Sequence, residues 1–386
     1  MTKKNVLSLF LFASILLYSS CQKDLTVQEP VQSQKTEESQ YYEPSKEYLA
    51  SLDALAHHSD ITNRAACDWV EIPAGSTNVL AQAANNVCAN GVIYLKAGVH
   101  TENKAITISK SVKIIGETGA ILKLKTALSP LNASTSTIAL KPIIHILNAP
   151  RTLIQNIDIQ ALDTEGGGAL LFENSSESAV MQCKITKFQW AIWVEKSDRM
   201  TLMRNTIAGA SAWQTQADIE AEGITIANGK SCYVADNDVS NCSFGIWACD
   251  RYGTCERNYT HGDYIGIILC NVPPAYIVPG GRVSGSLTPG NSWKTRNNKS
   301  TDNFNIGIIV IDGANNNLVE NNDLARNTDY DIELTTDTYR FGFLTPMAYD
   351  NTVIAGAYPT IRIKDCGRNN RISGGVRMNT ATDACN

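Results

Sequence analysis

Residues 247–264 hold side chains of complementary chemistry within a short stretch: Trp247, Asp250, Arg251, Tyr252, His261, Asp263 and Tyr264. A carboxylate, a guanidinium and an imidazole together offer a proton acceptor, a group that neutralises developing negative charge, and a second titratable group. Two chemistries fit these residue types. Elimination across a uronic acid needs the sugar carboxylate neutralised, by arginine or by calcium on oxygen ligands, and a base with an adjusted pKa. Arg251, His261 or Lys196 would be that base, Tyr252 or Tyr264 the proton donor, and Glu195 with Asp250 a calcium cradle. Hydrolysis instead needs two carboxyl groups about 5–9.5 Å apart across one glycosidic bond, a role open to Asp250 and Asp263. The bland reading is that aspartates at strand ends form turns for local reasons.

The elements that must position these residues repeat. A small residue followed by alternating aliphatics recurs at Gly168-Ala-Leu-Leu, Ala191-Ile-Trp-Val, Gly223-Ile-Thr-Ile, Gly245-Ile-Trp-Ala, Gly266-Ile-Ile-Leu and Gly307-Ile-Ile-Val, then Asp331-Ile-Glu-Leu and Thr360-Ile-Arg-Ile. Between them stands a second phrase, Asn, spacer, aliphatic: Asn205-Thr-Ile207, Asn237-Asp-Val239, Asn322-Asp-Leu324 and Asn370-Arg-Ile372. A base period near 21–24 residues with occasional insertions marks a solenoid whose units are turns of short strands. Alternation puts Ile192 and Val194 inward and Trp193 and Glu195 outward.

These phrases resemble the right-handed parallel β-helix of the pectin-lyase-like superfamily over residues 70 to 375. The opening agrees: an amphipathic capping helix over Asn78 to Cys88, a strand ending at Gly98, then Ile106-Thr-Ile108 and Val112-Lys-Ile-Ile-Gly116. The resemblance implies an all-β, single-stranded solenoid of about 10–11 rungs over residues 61–386. It also implies that Asn205, Asn237, Asn258, Asn298, Asn322, Asn351 and Asn370 stack as a structural ladder. In the resembled enzymes substrate lies along the strand of the Gly-Ile phrase. The outward column there reads Leu170, Trp193, Thr225, Trp247, Ile268, Ile309, Glu333 and Arg362, with Glu173, Glu195, Asp250 and Asp312 just after it. Trp193 and Trp247, two rungs or about 10 Å apart, suit stacking on sugar rings, with Tyr252 and Tyr264 as further contacts. The alternative is that longer connections cover an apolar outer face.

Composition sets the compartment. Lys3 and Lys4 precede an apolar run from Val6 to Tyr18 and the small residues Ser19-Ser20, the pattern of a signal peptide over residues 1–20. As a helix the run would span only about 20 Å, short of a bilayer core. Leu17-Tyr-Ser-Ser-Cys21 resembles a bacterial lipoprotein box, which implies a lipid on Cys21, an outer-membrane lipoprotein of Bacteroidetes type, and a membrane partner through that anchor. Residues 21–60 read as a flexible tether with a short helix over 46–58. With 18% charged residues, 43% hydrophobic residues and a net charge of −5, the chain is neither disordered nor a nucleic-acid binder. It reads as a monomer. The eleven cysteines divide into the anchor, disulfides Cys67–Cys88 and Cys366–Cys385 at the two ends, small core residues at Cys183, Cys232 and Cys255, an adjacent outward pair at Cys249 and Cys270, and Cys242, which the pattern leaves unplaced.

Two functions remain open. The chain acts on polysaccharide, as a lyase before a hydrolase or epimerase and with calcium as the one cofactor considered, or it is a non-catalytic surface lipoprotein that binds glycan or presents a rigid rod.

Overall fold

The computed structural model describes residues 41–55, 67–125, 142–162, 167–210, 221–271, 277–278, 282–283, 292–335 and 347–378. Cys21, Cys385 and both histidines of the pair 57–58 lie outside them. Their strands form three sheets of twelve, eleven and eight strands, each sheet built mainly from strands three apart in sequence. Every pairing in these sheets is parallel, as in Gly168–Glu173 on Trp190–Glu195 on Glu222–Lys230 on Phe244–Arg251. One small antiparallel hairpin, Ile277–Val278 with Arg282–Val283, stands apart. The chain therefore winds through the three sheets once per turn. Its interior is a continuous column of aliphatic side chains running from Ile72 to Ile363.

The small residue opening each phrase has a steric cause. A Cβ at Gly223, Gly245, Gly266 or Gly307 would stand 2.5–2.8 Å from the backbone carbonyl of the residue opening the next rung. Backbone stacks on backbone there, and any side chain would hold the rungs apart.

Corners are equally regular. One carries a left-handed residue followed by the ladder asparagine: Arg204 (φ 55°) before Asn205, Asp236 (56°) before Asn237, Arg257 (54°) before Asn258, and Asn297 (53°) before Asn298. Each asparagine side chain accepts from the backbone N–H of the preceding ladder residue, as Asn237 does from Asn205 (3.0 Å), and donates back to a carbonyl of that preceding rung, as Asn237 does to Leu202 (2.9 Å). The column continues through Asn258, Asn298 and Asn322, while Asn351 and Asn370 belong to a parallel ladder begun by Asn317. Left-handed backbone at non-glycine residues is costly; two satisfied amide bonds per rung hold it in place.

The first end is capped by α2 (Leu80–Asn86), whose leading N–H groups at Val79 and Leu80 are both accepted by the Glu102 carboxylate at 2.9 and 2.8 Å. Cys67 is bonded to Cys88 beside it. Cys366 is also disulfide-bonded, and Cys249 is bonded to Cys270 across consecutive rungs. Cys183, Cys232, Cys242 and Cys255 are free and buried in the core. Cys242, which the sequence did not place, is thus a core residue like the other three.

Upstream, α1 (Lys46–Leu55) lies against the outer face of the twelve-stranded sheet. Ser45 caps it, accepting from the Tyr48 N–H at 3.1 Å. Leu49, Leu52, Leu55 and Tyr42 pack on Leu153, Met181, Met203 and Tyr233. Asp53 accepts two hydrogen bonds from Arg204 (2.8 and 2.7 Å), and Glu43 pairs with Arg296 at 2.8 Å. Residues 41–55 therefore pack on the rod, with the helix inside the stretch 46–58 where the leucine spacing placed it. Three leucines at helical spacing had an apolar sheet face to meet.

Candidate functional site

The eleven-stranded sheet carries the Gly-Ile phrases, and its two faces are unlike. Ile192, Val194, Ile224, Ile226, Ile246 and Ala248 enter the core, whereas Trp193, Thr225, Trp247, Ile268 and Ile309 share one outward row. Two members of the expected row are displaced. Leu170 pairs with Ile192 and is a core residue, so Leu171 takes the outward place beside Trp193. At the other end Glu333 pairs with Lys364, not with Arg362. Arg362 instead binds Asp331 at the sheet corner.

Asp250, Arg251, His261 and Asp263 do not converge. Asp250 follows Ala248 in the inward phase, and its carboxyl lies inside the solenoid with the Cys232 thiol and Trp293 as polar neighbours. The Trp293 indole N–H donates to the Asp250 backbone carbonyl at 3.2 Å. Neither carboxyl oxygen of Asp250 accepts a well-formed hydrogen bond. Burial accordingly pushes this acid up to about 8. Asp263 stands at another corner, after the left-handed Gly262 (φ 62°), in the place that Asn303 and Asn327 occupy on later rungs. It accepts from the Cys242 N–H at 2.8 Å, and burial holds its carboxyl well above the usual range. Its Oδ1 takes the acceptor place of a ladder asparagine.

His261 lies on the eight-stranded sheet, with Nε2 3.0 Å from Asp238 and its ring stacked 4.2 Å from that of Tyr259. Arg251 and Tyr252 are exposed at a corner, and Tyr264 packs against an apolar outer cluster. Trp193 and Trp247 do point outward, but they are only 3% and 2% exposed. Trp247 belongs to a second apolar cluster with Phe244, Ile268, Ile309 and the Cys249–Cys270 pair, so its ring is not offered to a sugar. Glu195 and Asp250 project from opposite faces of one sheet and cannot share an ion. Among the described residues only Cys67, Asp68 and Cys88 bring three metal-capable groups together, and both cysteines are in a disulfide.

What the outer face does assemble is a buried acid cluster. Glu173 and Glu195 are register partners on adjacent strands, which places their backbones about 4.8 Å apart. His145, one rung earlier, brings Nε2 to 3.1 Å from Glu173 Oε2. Asn228, one rung later, donates to Glu195 Oε1 at 2.9 Å, and Lys196 Nζ stands 3.8 Å from the same oxygen. Burial pushes Glu195 up to about 7; Asn228 and Lys196 oppose that, Glu173 adds to it, and the Trp193 side chain opposes it again. Trp190 meets Trp193 edge to face at 6.4 Å, and Glu222, the register partner of Trp190, accepts from the Thr225 hydroxyl. A carboxyl group titrating near neutrality beside a second carboxyl and an imidazole can take up or give a proton at working pH.

The sequence pointed to Glu173 and Glu195 but passed over His145. Its signal was available: Ile144-His-Ile146 carries the same alternation one rung before Gly168.

Residues 142–272 match the family described as "Right handed beta helix region". No curated protein matches the chain by sequence. Among solved structures, the catalytic domain of an α-1,3-glucanase is 13% identical over 84% of this chain and 68% of its own, with a TM-score of 0.45. An alginate lyase from Paenibacillus sp. is 10% identical over 80% and 97%, with a TM-score of 0.45. An endo-xylogalacturonan hydrolase from Aspergillus tubingensis is 11% identical over 80% and 92%, with a TM-score of 0.49. With three parallel sheets, a stacked asparagine column and the matched region at its centre, the chain folds as a right-handed parallel β-helix.

Proposed function

We propose that this protein acts on or binds polysaccharide as an exported β-helix held to the outer membrane by a lipid on Cys21, with its chemistry at the His145–Glu173–Glu195 cluster. The observation that carries the reading is the Glu173–Glu195 pair: two carboxyl groups on adjacent rungs, one raised to about 7, flanked by an imidazole and by Trp190 and Trp193. Glu195 is the base and Glu173, oriented by His145, its partner. Elimination at a uronic acid is the reaction to test first, with Lys196 as the positive group and His145 as a hydrogen-bonding group near the sugar carboxylate. Hydrolysis by the same pair is the competing chemistry. The decisive assay incubates the protein with uronate-containing and neutral glycans, with and without added calcium, and follows both unsaturated ends and reducing sugar. Turnover that disappears in Glu195→Gln supports the reading; no product from any glycan defeats the catalytic part of it.

A second reading, a non-catalytic rod, has its own support. Glu173, Glu195, Trp190 and Trp193 are all less than 5% exposed, which suits a packed outer face. Retention of glycan without turnover would favour it.

A further inference from the structure

The last rungs of the twelve-stranded sheet carry a polar cleft away from the acid cluster. It measures about 760 Å³, and the half-buried Tyr41 forms one wall. Its floor repeats rung by rung in two columns. Asn316, Asp350 and Asn369 are left-handed corner residues (φ 56°, 53° and 57°), and all three are exposed. Two places further along the chain, Thr352 and Arg371 are register partners on adjacent strands.

The polar side chains of this cleft are uncommitted. On earlier rungs of the same sheet Arg204 is held by Asp53, Arg257 by Asp236 and Arg296 by Glu43. Asp350, Thr352, Asn369 and Arg371 make no side-chain hydrogen bond or ion pair with any described residue. The cleft therefore presents a carboxylate, a guanidinium, amides, a hydroxyl and an aromatic ring to whatever enters it. The two charges are opposite, so neither an anion nor a cation is selected. An apolar ligand would strip water from both without replacing the lost hydrogen bonds. Hydroxyl groups both donate and accept, and so can meet each of these side chains. A pyranose also has an apolar face for the Tyr41 ring, and its length is close to the interval of about 4.8 Å at which the floor repeats.

We infer that this cleft is a second carbohydrate site, which takes a short neutral oligosaccharide laid along the rod axis with one ring against Tyr41. It lies four rungs beyond Glu195, about 19 Å along the axis, and on a different sheet. A glycan held there does not touch the proposed acid–base pair. The inference shares a ligand class with the proposed function and not a site, so it stands even where no turnover is found. The role of such a site is retention of the rod on polymer.

The test uses the full chain with cello-, xylo-, manno-, malto- and galactotriose as probes, saturation-transfer NMR to detect binding and titration calorimetry to measure it. At least one trisaccharide should bind, and Arg371→Ala should weaken it about tenfold or more, the scale of a lost charge-assisted hydrogen bond. Asp350→Asn, which suits the same left-handed turn, should weaken it at least about threefold. Tyr41→Ala should also weaken it, but that variant removes the ring beside Lys294 as well, so the two exposed positions decide the case. Affinity in Glu195→Gln should stay within about twofold of the parent. Binding of no trisaccharide, or binding unmoved by Arg371→Ala and Asp350→Asn in variants whose thermal midpoints match the parent, overturns the site. Binding abolished in Glu195→Gln overturns it too, because the sugar would then lie at the acid cluster.

Discussion

Glu195 and Asp250 belong to one parallel sheet, two rungs apart, yet their carboxyl groups point to opposite sides of it, Glu195 among Trp193, Asn228 and Lys196, Asp250 among core side chains. The separation predicts a division of effects. Glu195→Gln should lower any glycan turnover by at least a hundredfold, the usual scale for a lost acid–base group, whereas Asp250→Asn should leave turnover within a factor of about three. Steady-state kinetics on both variants checks this, and equal losses would contradict the assignment.

Stability should fall with pH. An acid raised on folding binds its proton more tightly in the folded chain, so its fold-stabilising protonation is complete below the unfolded pKa and is lost as pH climbs through the folded one. For Asp250 the window runs from its ordinary 3.8 to about 8, and for Glu195 from 4.5 to about 7. Within it each group costs the fold up to about 1.4 kcal/mol per pH unit. Denaturation between pH 5 and 9 should therefore show a declining midpoint, and Asp250→Asn should flatten that decline and raise the midpoint at pH 8.5. An unchanged slope would exclude Asp250 as its source.

Asp263 should behave as a corner residue. Asp263→Asn restores the amide found at Asn303 and Asn327 and should be neutral or stabilising at pH 8, with glycan turnover kept. Asp263→Ala leaves the Cys242 N–H without its acceptor and should cost about 1–3 kcal/mol. Urea unfolding of the two variants separates these outcomes. A catalytic Asp263 would instead lose activity in both.

Trp247→Ala should read as a packing lesion. The ring is buried among Phe244, Ile268 and Ile309 and donates to Cys270, so truncation should cost about 3–5 kcal/mol. Calorimetry should show the loss, and affinity measured on the surviving folded fraction should stay within about twofold.

The rod was readable because its rules are local. A small residue ahead of alternating aliphatics announces a backbone contact that admits no Cβ, and Asn at a fixed offset announces a corner. The site was harder because strand periodicity is two, so an offset of one residue reverses the face. Asp250 lies one place beyond the residue that pairs with Glu195's column, since Ala227 and Cys249 are its register neighbours there. That single step moved it from the candidate face into the core. Trp193 and Trp247 were given the right phase and the wrong environment, because alternation reports direction and says nothing of what lies over the face. His261 failed for a third reason: ten residues separate it from Arg251 in sequence, but a corner turns the chain onto another sheet between them.

The asparagine column also fixes where the chain is free to grow. Successive ladder bonds join residues 32, 21, 40 and 24 positions apart from Asn205 to Asn322, and the bond lengths do not register the difference. The axial spacing thus stays constant whatever the length of sequence between two ladder positions. Such a molecule is a ruler with interchangeable attachments: segments exchanged between two ladder positions change what the rod displays, and leave its length and pitch as they were.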